Sequence, residues 1–195
     1  MAELPPAIEG RLRDLPEGLR DHIERSRVVG RELAKRFGVD AAKVDLAVAA
    51  HDLARAMRPD DLLGEAGRLG LDVHPVEERH PVLLHGAVAA HWLAHEIGLT
   101  DPEVLEAVRW HTTGRRGMGE VAKVVFLADK LDPVKVEHHA YLEGVAPALE
   151  IGLDDAILRL LDQEIAYFLE DGMLVHPDCV EQRNELIERK GMGPP

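Results

Sequence analysis

Apolar residues recur along the chain at the three- and four-residue spacing of helix faces, and no stretch shows the strict alternation of a half-buried strand. From about Glu17 to Phe37, the residues Leu19, Ile23, Leu33 and Phe37 keep helical spacing, with Pro16 near the start and Gly38 just past the end. Asp40 can cap a second predicted helix through AAKVDLAVAAHDLARAM, which stops before Pro59. Asp60 or Asp61 opens a short third helix, and HPVEERHP reads as a polar, proline-bounded loop. A fourth helix is expected from Val82 to Ile97 with Gly98 as its stop, and Asp101-Pro102 starts a fifth that ends near His111. The segment GEVAKVVFLADKL is a sixth, and two more run from about Asp154 to Glu170 and from Pro177 to Arg189. With no internal repeat, low-complexity tract or long linker, the pattern predicts one all-α domain of about eight or nine helices over residues 7–190, with frayed ends at 1–6 and 191–195.

Composition narrows the partners. A chain of 195 residues is long enough to bury a core without disulfides or structural metal. Its single cysteine, Cys179, excludes an internal disulfide and any CxxC site and fits a reducing cytoplasm, the expected location. No apolar stretch approaches the length of a membrane span, and none follows a charged leader, so no membrane partner is expected. A formal net charge of −13 opposes binding to extended nucleic acid. An anionic small molecule is compatible with it wherever a metal or a few cationic side chains focus positive charge.

Polar residues that interrupt the apolar faces carry the chemistry. His22 lies one turn from Ser26 near the Leu19–Ile23 side of its helix, and His51-Asp52 is embedded in LAVAAHDLA, the most apolar stretch of the chain. A charged carboxylate there is costly unless it is paired or bound to metal. His85 follows VLL, His111 ends an apolar helix, and Asp129 follows VVFLA. A lone histidine on an apolar face is more often a hydrogen-bonded core residue than a ligand, and His51-Asp52 alone could be a buried ion pair. Recurrence at six inward positions on five separate helices or helix ends points instead to a metal. Imidazole and carboxylate donors suit iron, manganese or zinc, and a carboxylate can bridge two ions. Such a site makes a hydroxide available near neutral pH and polarises a phosphoryl oxygen. His91 and His95, four residues apart, form a rival pair read here as surface residues. His138, His139 and His176 stand in polar or turn contexts and are expected to be solvated.

The set resembles the HD-domain metal-dependent phosphohydrolases, whose pattern H…HD…D is met by His22, His51-Asp52 and Asp129. With His85 and His111 added, the order HDLAR, LLHG, HTTGRRGM, ADKLDP is similar to the YqeK family of symmetrical diadenosine tetraphosphate hydrolases over about Leu19 to Arg189. HD alone is a weak motif. HTTG followed by GM and an apolar helix ending in AD about 18 residues after the histidine is far more specific.

The resemblance implies that His22, His51, Asp52, His85, His111 and Asp129 are metal ligands. It implies an iron centre of one or two ions, with manganese or another divalent transition metal as substitutes. The reaction would be hydrolysis of the dinucleoside polyphosphate Ap4A to two ADP by metal-activated water. On this reading Asp52, Arg55 and Asp129 do catalytic work. Substrate contacts fall to His22, Arg55, His85, Thr112, Thr113, Gly114, Arg115 and Lys135, with Thr112, Thr113 and Gly114 letting the backbone approach a nucleotide. Arg115 is favoured over Arg116 for neutralising polyphosphate, at least one of the two being a solvated loop charge. The chain also departs from the family: where that group reads close to ADxIEPxR, it has ADKLDPVKV, with Asp132 and Lys135 in place of Glu and Arg. Lysine offers a compact point charge in place of a planar bidentate donor. His22 follows Asp21 where the family commonly has an aromatic residue. Two alternatives stay open: another HD phosphohydrolase acting on nucleoside monophosphates or cyclic nucleotides, and a non-catalytic metal-dependent nucleotide-binding regulator. The apolar segment LLDQEIAYFLEDGMLV either closes the core or supplies the face of a homodimer.

Overall fold

Each of the eight long apolar patterns is a helix in the computed structural model, which describes residues 4–191. The fraying expected at the ends falls, for residues 1–3 and 192–195, outside the described residues; Leu4 is buried. The order is α1 (Pro6–Arg13), α2 (Glu17–Phe37), α3 (Ala41–Ala50), α4 (Pro59–Arg68), α5 (Pro75–Arg79), α6 (His85–His95), α7 (Pro102–Trp110), α8 (Glu120–Lys130), α9 (Pro133–His138), α10 (Val145–Ala148), α11 (Leu153–Glu170) and α12 (Pro177–Arg189). Short 3₁₀ turns cover Pro81–Leu84 and Ala140–Leu142, and no strand occurs among the described residues. None of these helices is long and apolar enough to cross a membrane.

Among the described residues, twelve α-helices replace the eight or nine expected. The additions are α1, α5, α9 and α10, of four to eight residues, too short to display a helical period. Within the HPVEERHP loop, α5 is held by a capping box: Val76 N–H donates to His74 Nδ1, and His74 N–H donates to the Glu77 carboxylate.

The second helix also ends sooner than predicted, at Ala50 rather than Met57. Beyond it, amides of Leu53, Arg55 and Met57 donate to carbonyls of Ala50, Asp52 and Ala54, three residues back. Neighbours in a regular helix diverge by about 100°. The tightened turn lets His51 and Asp52 face the same point, with His51 Nε2 3.4 Å from Asp52 Oδ2.

α8 is the central element, buried continuously from Val121 to Asp129. α2 and α7 pack on it, α3 reaches α2, α7 and α8, α6 lies on α7, and α11 covers α8 while carrying α10 and α12. Between α2 and α3 the buried Arg27 grips Asp45 through Nε at 3.0 Å and Nη2 at 2.9 Å.

One glycine sets a helix spacing that matters for function. A Cβ at Gly86 would lie 2.7 Å from the Arg109 carbonyl and 2.9 Å from that of Val108, so α6 approaches α7 as closely as it does only because residue 86 lacks a side chain. That approach brings His85, the first residue of α6, against His111 at the end of α7. Gly86→Ala is expected to cost about 1–3 kcal/mol, the usual range for overpacking. It should also reduce the stabilisation conferred by metal, both effects being read by denaturant melts with and without divalent metal.

Candidate metal centre

The six candidate ligands converge. His22 comes from α2, His51 and Asp52 from the turn after α3, His85 from the start of α6, His111 from the end of α7 and Asp129 from the end of α8. None is more than 7% exposed.

The imidazoles are oriented by their outer nitrogens. Nδ1 of His51 donates to the Val48 carbonyl at 2.6 Å and Nδ1 of His111 to that of Val108 at 2.8 Å; His85 does the same to Val82. In His22, Nδ1 donates to Asp132 Oδ2 at 2.7 Å, and Arg25 in turn clamps that carboxylate at 2.7 and 2.9 Å. These bonds set the tautomers and turn all four Nε2 lone pairs inward, the arrangement that outer partners impose on metal-binding histidines.

The inner atoms are left in a state that calls for a cation. His85 Nε2 and His111 Nε2 stand 2.8 Å apart. With both Nδ1 atoms donating outward, two lone pairs face each other and repel unless a proton or metal lies between them. His51 Nε2 is buried with no hydrogen-bond partner among the described residues. Asp52 spans the cluster: Oδ1 is 2.9 Å from His85 Nε2 and 3.7 Å from His111 Nε2, while Oδ2 is 3.4 Å from His51 Nε2 and 3.7 Å from His22 Nε2. Asp129 Oδ1 completes the other side at 3.0 Å from His22 Nε2 and 3.6 Å from His51 Nε2. His22, His51 and Asp129 form one set whose donor atoms lie within 4.8 Å of each other, and His51, Asp52 and His111 form a second. The donor chemistry and the orphaned Nε2 therefore fit a divalent transition metal.

The electrostatics agree. Burial disfavours charge on both carboxyls, yet His51 and the other imidazoles at Asp52, and Lys130 and Lys135 at Asp129, hold the two well below the usual carboxylate range. Burial also pushes His51 down, but the charges of Asp52 and Asp129 overcome it and raise His51 to about 10. His111, pushed down by burial and by the neighbouring imidazoles, falls to about 3 and stays neutral. The carboxylates thus draw a positive charge to the middle of the cluster, and metal binding displaces that proton.

A cavity of about 310 Å³ opens from the cluster. Arg55, Thr112, Thr113 and Lys135 line it, as expected of substrate contacts, together with His85, His111, Asp52 and Asp129. Lys135 Nζ pairs with Asp129 Oδ1, and the buried Lys130 meets Asp129 Oδ2 at 3.0 Å.

Three expected substrate contacts, His22, Gly114 and Arg115, are not among the residues that line the cavity. Arg115 donates from Nε to the Arg116 carbonyl at 3.1 Å and sits 5.6 Å from the Trp110 ring centre, in a separate groove with His91 and His95. Arg116 is exposed and paired with Glu188. The cations of the cavity are instead Arg55, Lys130 and Lys135. Gly114 is needed for a different reason from the one expected: its φ is +64°, and a Cβ there would fall 1.7 Å from Gln182 Oε1, so it serves the packing of the loop against α12.

Several neighbours of the cluster are not evident from local sequence. Asp132, which in the sequence only departs from a motif, is 1% exposed, orients His22 and caps α9 through Val134 N–H. His176, expected to be solvated, is buried, caps α12 and lines the cavity. Asp132→Asn is expected to lower metal affinity by about 10–100-fold, the typical cost of losing an outer partner, as measured by competition against a chromogenic chelator.

Fold and site together define an all-α protein with a buried cluster of histidines and aspartates that could hold a metal ion, at the base of a cavity lined by both acidic and basic side chains. The chain belongs to the HD domain family, whose pattern matches residues 19–134. It is 31% identical over 156 residues, 80% of this chain and 82% of the other, to a protein of Halalkalibacterium halodurans named bis(5'-nucleosyl)-tetraphosphatase, symmetrical. A Staphylococcus aureus protein of the same name is 30% identical over 191 aligned positions, 90% of this chain and 91% of its own. Among solved structures, an HD superfamily hydrolase of Clostridium acetobutylicum described as involved in NAD metabolism superposes with a TM-score of 0.85 at 27% identity, covering 94% of this chain and 96% of that one.

Proposed function

We propose that this protein is a symmetrical bis(5'-nucleosyl)-tetraphosphatase, hydrolysing Ap4A to two ADP in the cytoplasm. The observation that carries the reading is a cluster of six candidate metal ligands that opens into a cavity lined by Arg55, Lys130 and Lys135, in a chain whose net charge is −13. Relatives bearing the name of that activity support it. The ligands are His22, His51, Asp52, His85, His111 and Asp129, and the metal we assign is iron, as one or two ions, with Asp52 facing both halves of the cluster.

Bound metal supplies an activated water and a Lewis acid for the phosphoryl oxygens. The chain supplies position. Lys130, Lys135 and the His22–Asp132–Arg25 relay fix Asp129 and His22. Arg55 and Lys135 face the polyphosphate and offset charge on the departing nucleoside diphosphate, for which phosphoryl transfer depends mainly on electrostatics and alignment. Thr112 and Thr113 form the wall beside His111.

Cavity size bears on where the substrate is cut. About 310 Å³ lies at the small end of the range for ligand pockets, and we seat one half of the dinucleotide in it. An ADP moiety bound with its terminal phosphate toward the cluster would present the bond between the second and third phosphates there. The segment 160–175 also divides: Leu160 and Leu161 close the core, whereas Tyr167, Leu169, Met173 and Leu174 are exposed and support a self-associating face.

The test is a substrate panel on iron- or manganese-loaded protein: Ap4A, AMP and a cyclic dinucleotide compared by kcat/KM. The highest value is expected for Ap4A. A preference for AMP or the cyclic dinucleotide moves the protein to another HD phosphohydrolase activity, and tight binding without turnover makes it a nucleotide-binding regulator.

A further inference from the structure

With one half of a dinucleotide seated in the cavity, the other half needs a place that adjoins it. Two further grooves differ in this respect. The one that holds His91, His95 and Arg115 shares no lining residue with the cavity, whereas a groove of about 450 Å³ between α5, α7 and the start of α12 shares Leu83 and His176 with it. His176, 7% exposed, therefore stands on the boundary of the two spaces. Its Nδ1 accepts from the Asp178 N–H at 3.3 Å, so in the neutral ring Nε2 carries the proton. That Nε2 is buried with no hydrogen-bond partner among the described residues, and the Glu77 carboxylate on the groove side stays 4.0 Å away. A buried donor without an acceptor is costly, and a ligand oxygen that passes from cavity to groove at this point would satisfy it.

The groove suits a nucleoside rather than more phosphate. Asp72, Glu77 and Asp178 line it against a single guanidinium, that of Arg109, whereas Arg55, Lys130 and Lys135 collect in the cavity. Carboxylate oxygens accept from ribose hydroxyls and repel a polyphosphate. Arg109 lies 5.0 Å from the Trp110 ring centre and makes no ion pair with a described residue, so a flat cation backed by an indole is offered to a base. We propose that this groove is a second nucleoside subsite, which takes the half of the dinucleoside tetraphosphate that the cavity leaves out. Arg109 stacks on its base, the carboxylates hold its ribose, and His176 marks where the phosphate chain crosses. This rests on the nucleotide-hydrolase reading above and adds to it the residues that tell a two-ended substrate from a one-ended one.

The experiment compares full-length, metal-loaded wild type, Arg109→Ala and Ala87→Phe, the last of which fills the groove from α6. Each is given Ap4A and adenosine 5'-tetraphosphate, which has the same phosphate chain but one nucleoside. KM and kcat are measured for both, and calorimetric titrations use analogues of both in which a methylene replaces the central bridging oxygen. Wild type is expected to bind the two-ended analogue more tightly. Each variant should weaken that analogue about tenfold, the scale of a desolvated cation–π contact, and leave the one-ended analogue unchanged, with KM for Ap4A rising more than kcat falls. Equal weakening of both analogues would overturn the proposal and leave Arg109 and Ala87 as supports of the fold around His111. Equal binding of both by wild type, or no change in either variant, would overturn it too. If wild type prefers the two-ended analogue in a groove-dependent way but cleaves neither nucleotide, the subsite stands and the hydrolase reading fails. If Ap4A is cleaved to ADP and the variants keep the wild-type preference, the hydrolase reading stands and the subsite falls.

Discussion

Asp52→Ala is expected to lower kcat/KM for Ap4A by on the order of a thousandfold or more, the several kcal/mol that a metal centre contributes to phosphoryl chemistry. Metal content measured on the purified variant should fall with it. Asp52 is the one carboxylate whose oxygens face His85 and His111 on one side and His22 and His51 on the other. Its loss removes a negative charge from the midst of four inward lone pairs, and no other described carboxylate stands where it could substitute, because Asp129 is engaged by Lys130 and Lys135. Asp52→Asn separates shape from charge, since the amide keeps the volume but binds a cation poorly. Should Asp52→Ala keep both its metal and its rate, the cluster is not the reacting centre.

The largest effect expected on stability lies elsewhere. Asp45→Asn should destabilise the fold by up to about 3–5 kcal/mol, because it leaves the buried guanidinium of Arg27 with only the exposed carboxylate of Glu24, at 2.8 Å, as its charged partner. Arg31, less buried, adds a second contact to Asp45 at 2.7 Å. Urea titrations should show a lower midpoint with an unchanged slope. The pH dependence has a definite sign. Burial alone would raise the Asp45 pKa, but Arg27 and Arg31 outweigh burial and hold it below its ordinary value. A carboxyl whose pKa is depressed in the folded state contributes stability that is complete above its unfolded pKa, about 3.9, and is lost as the pH falls through the folded one. Wild type should therefore lose stability steeply on acidification below about pH 4, and Asp45→Asn should flatten that part of the curve.

Helices long enough to repeat their apolar period were legible in the chain, as were the six inward histidines and aspartates, because a polar residue in a run such as LAVAAHDLA or VVFLAD breaks a simple pattern. What escaped depends on distance in the chain. Asp132 reaches His22 across 110 residues, a relation that no local spacing encodes. The break after Ala50 escaped because LAVAAHDLARAM keeps helix-forming residues throughout; convergence of two neighbouring side chains on one centre overrode local preference. Arg115 looked like a phosphate ligand because it follows HTTG, yet the left-handed Gly114 and the Gln182 side chain turn the loop so that the arginine lies over Trp110.

A metal-dependent symmetrical cut can be read by separating the nucleotide products formed from Ap4A by metal-stripped protein, before and after addition of ferrous iron or manganese. ADP as the sole product, appearing only when metal is restored, is the expected result. Formation of AMP and ATP would contradict the symmetrical cut, and ADP formed equally well without metal would contradict the role given to His22, His51, Asp52, His85, His111 and Asp129.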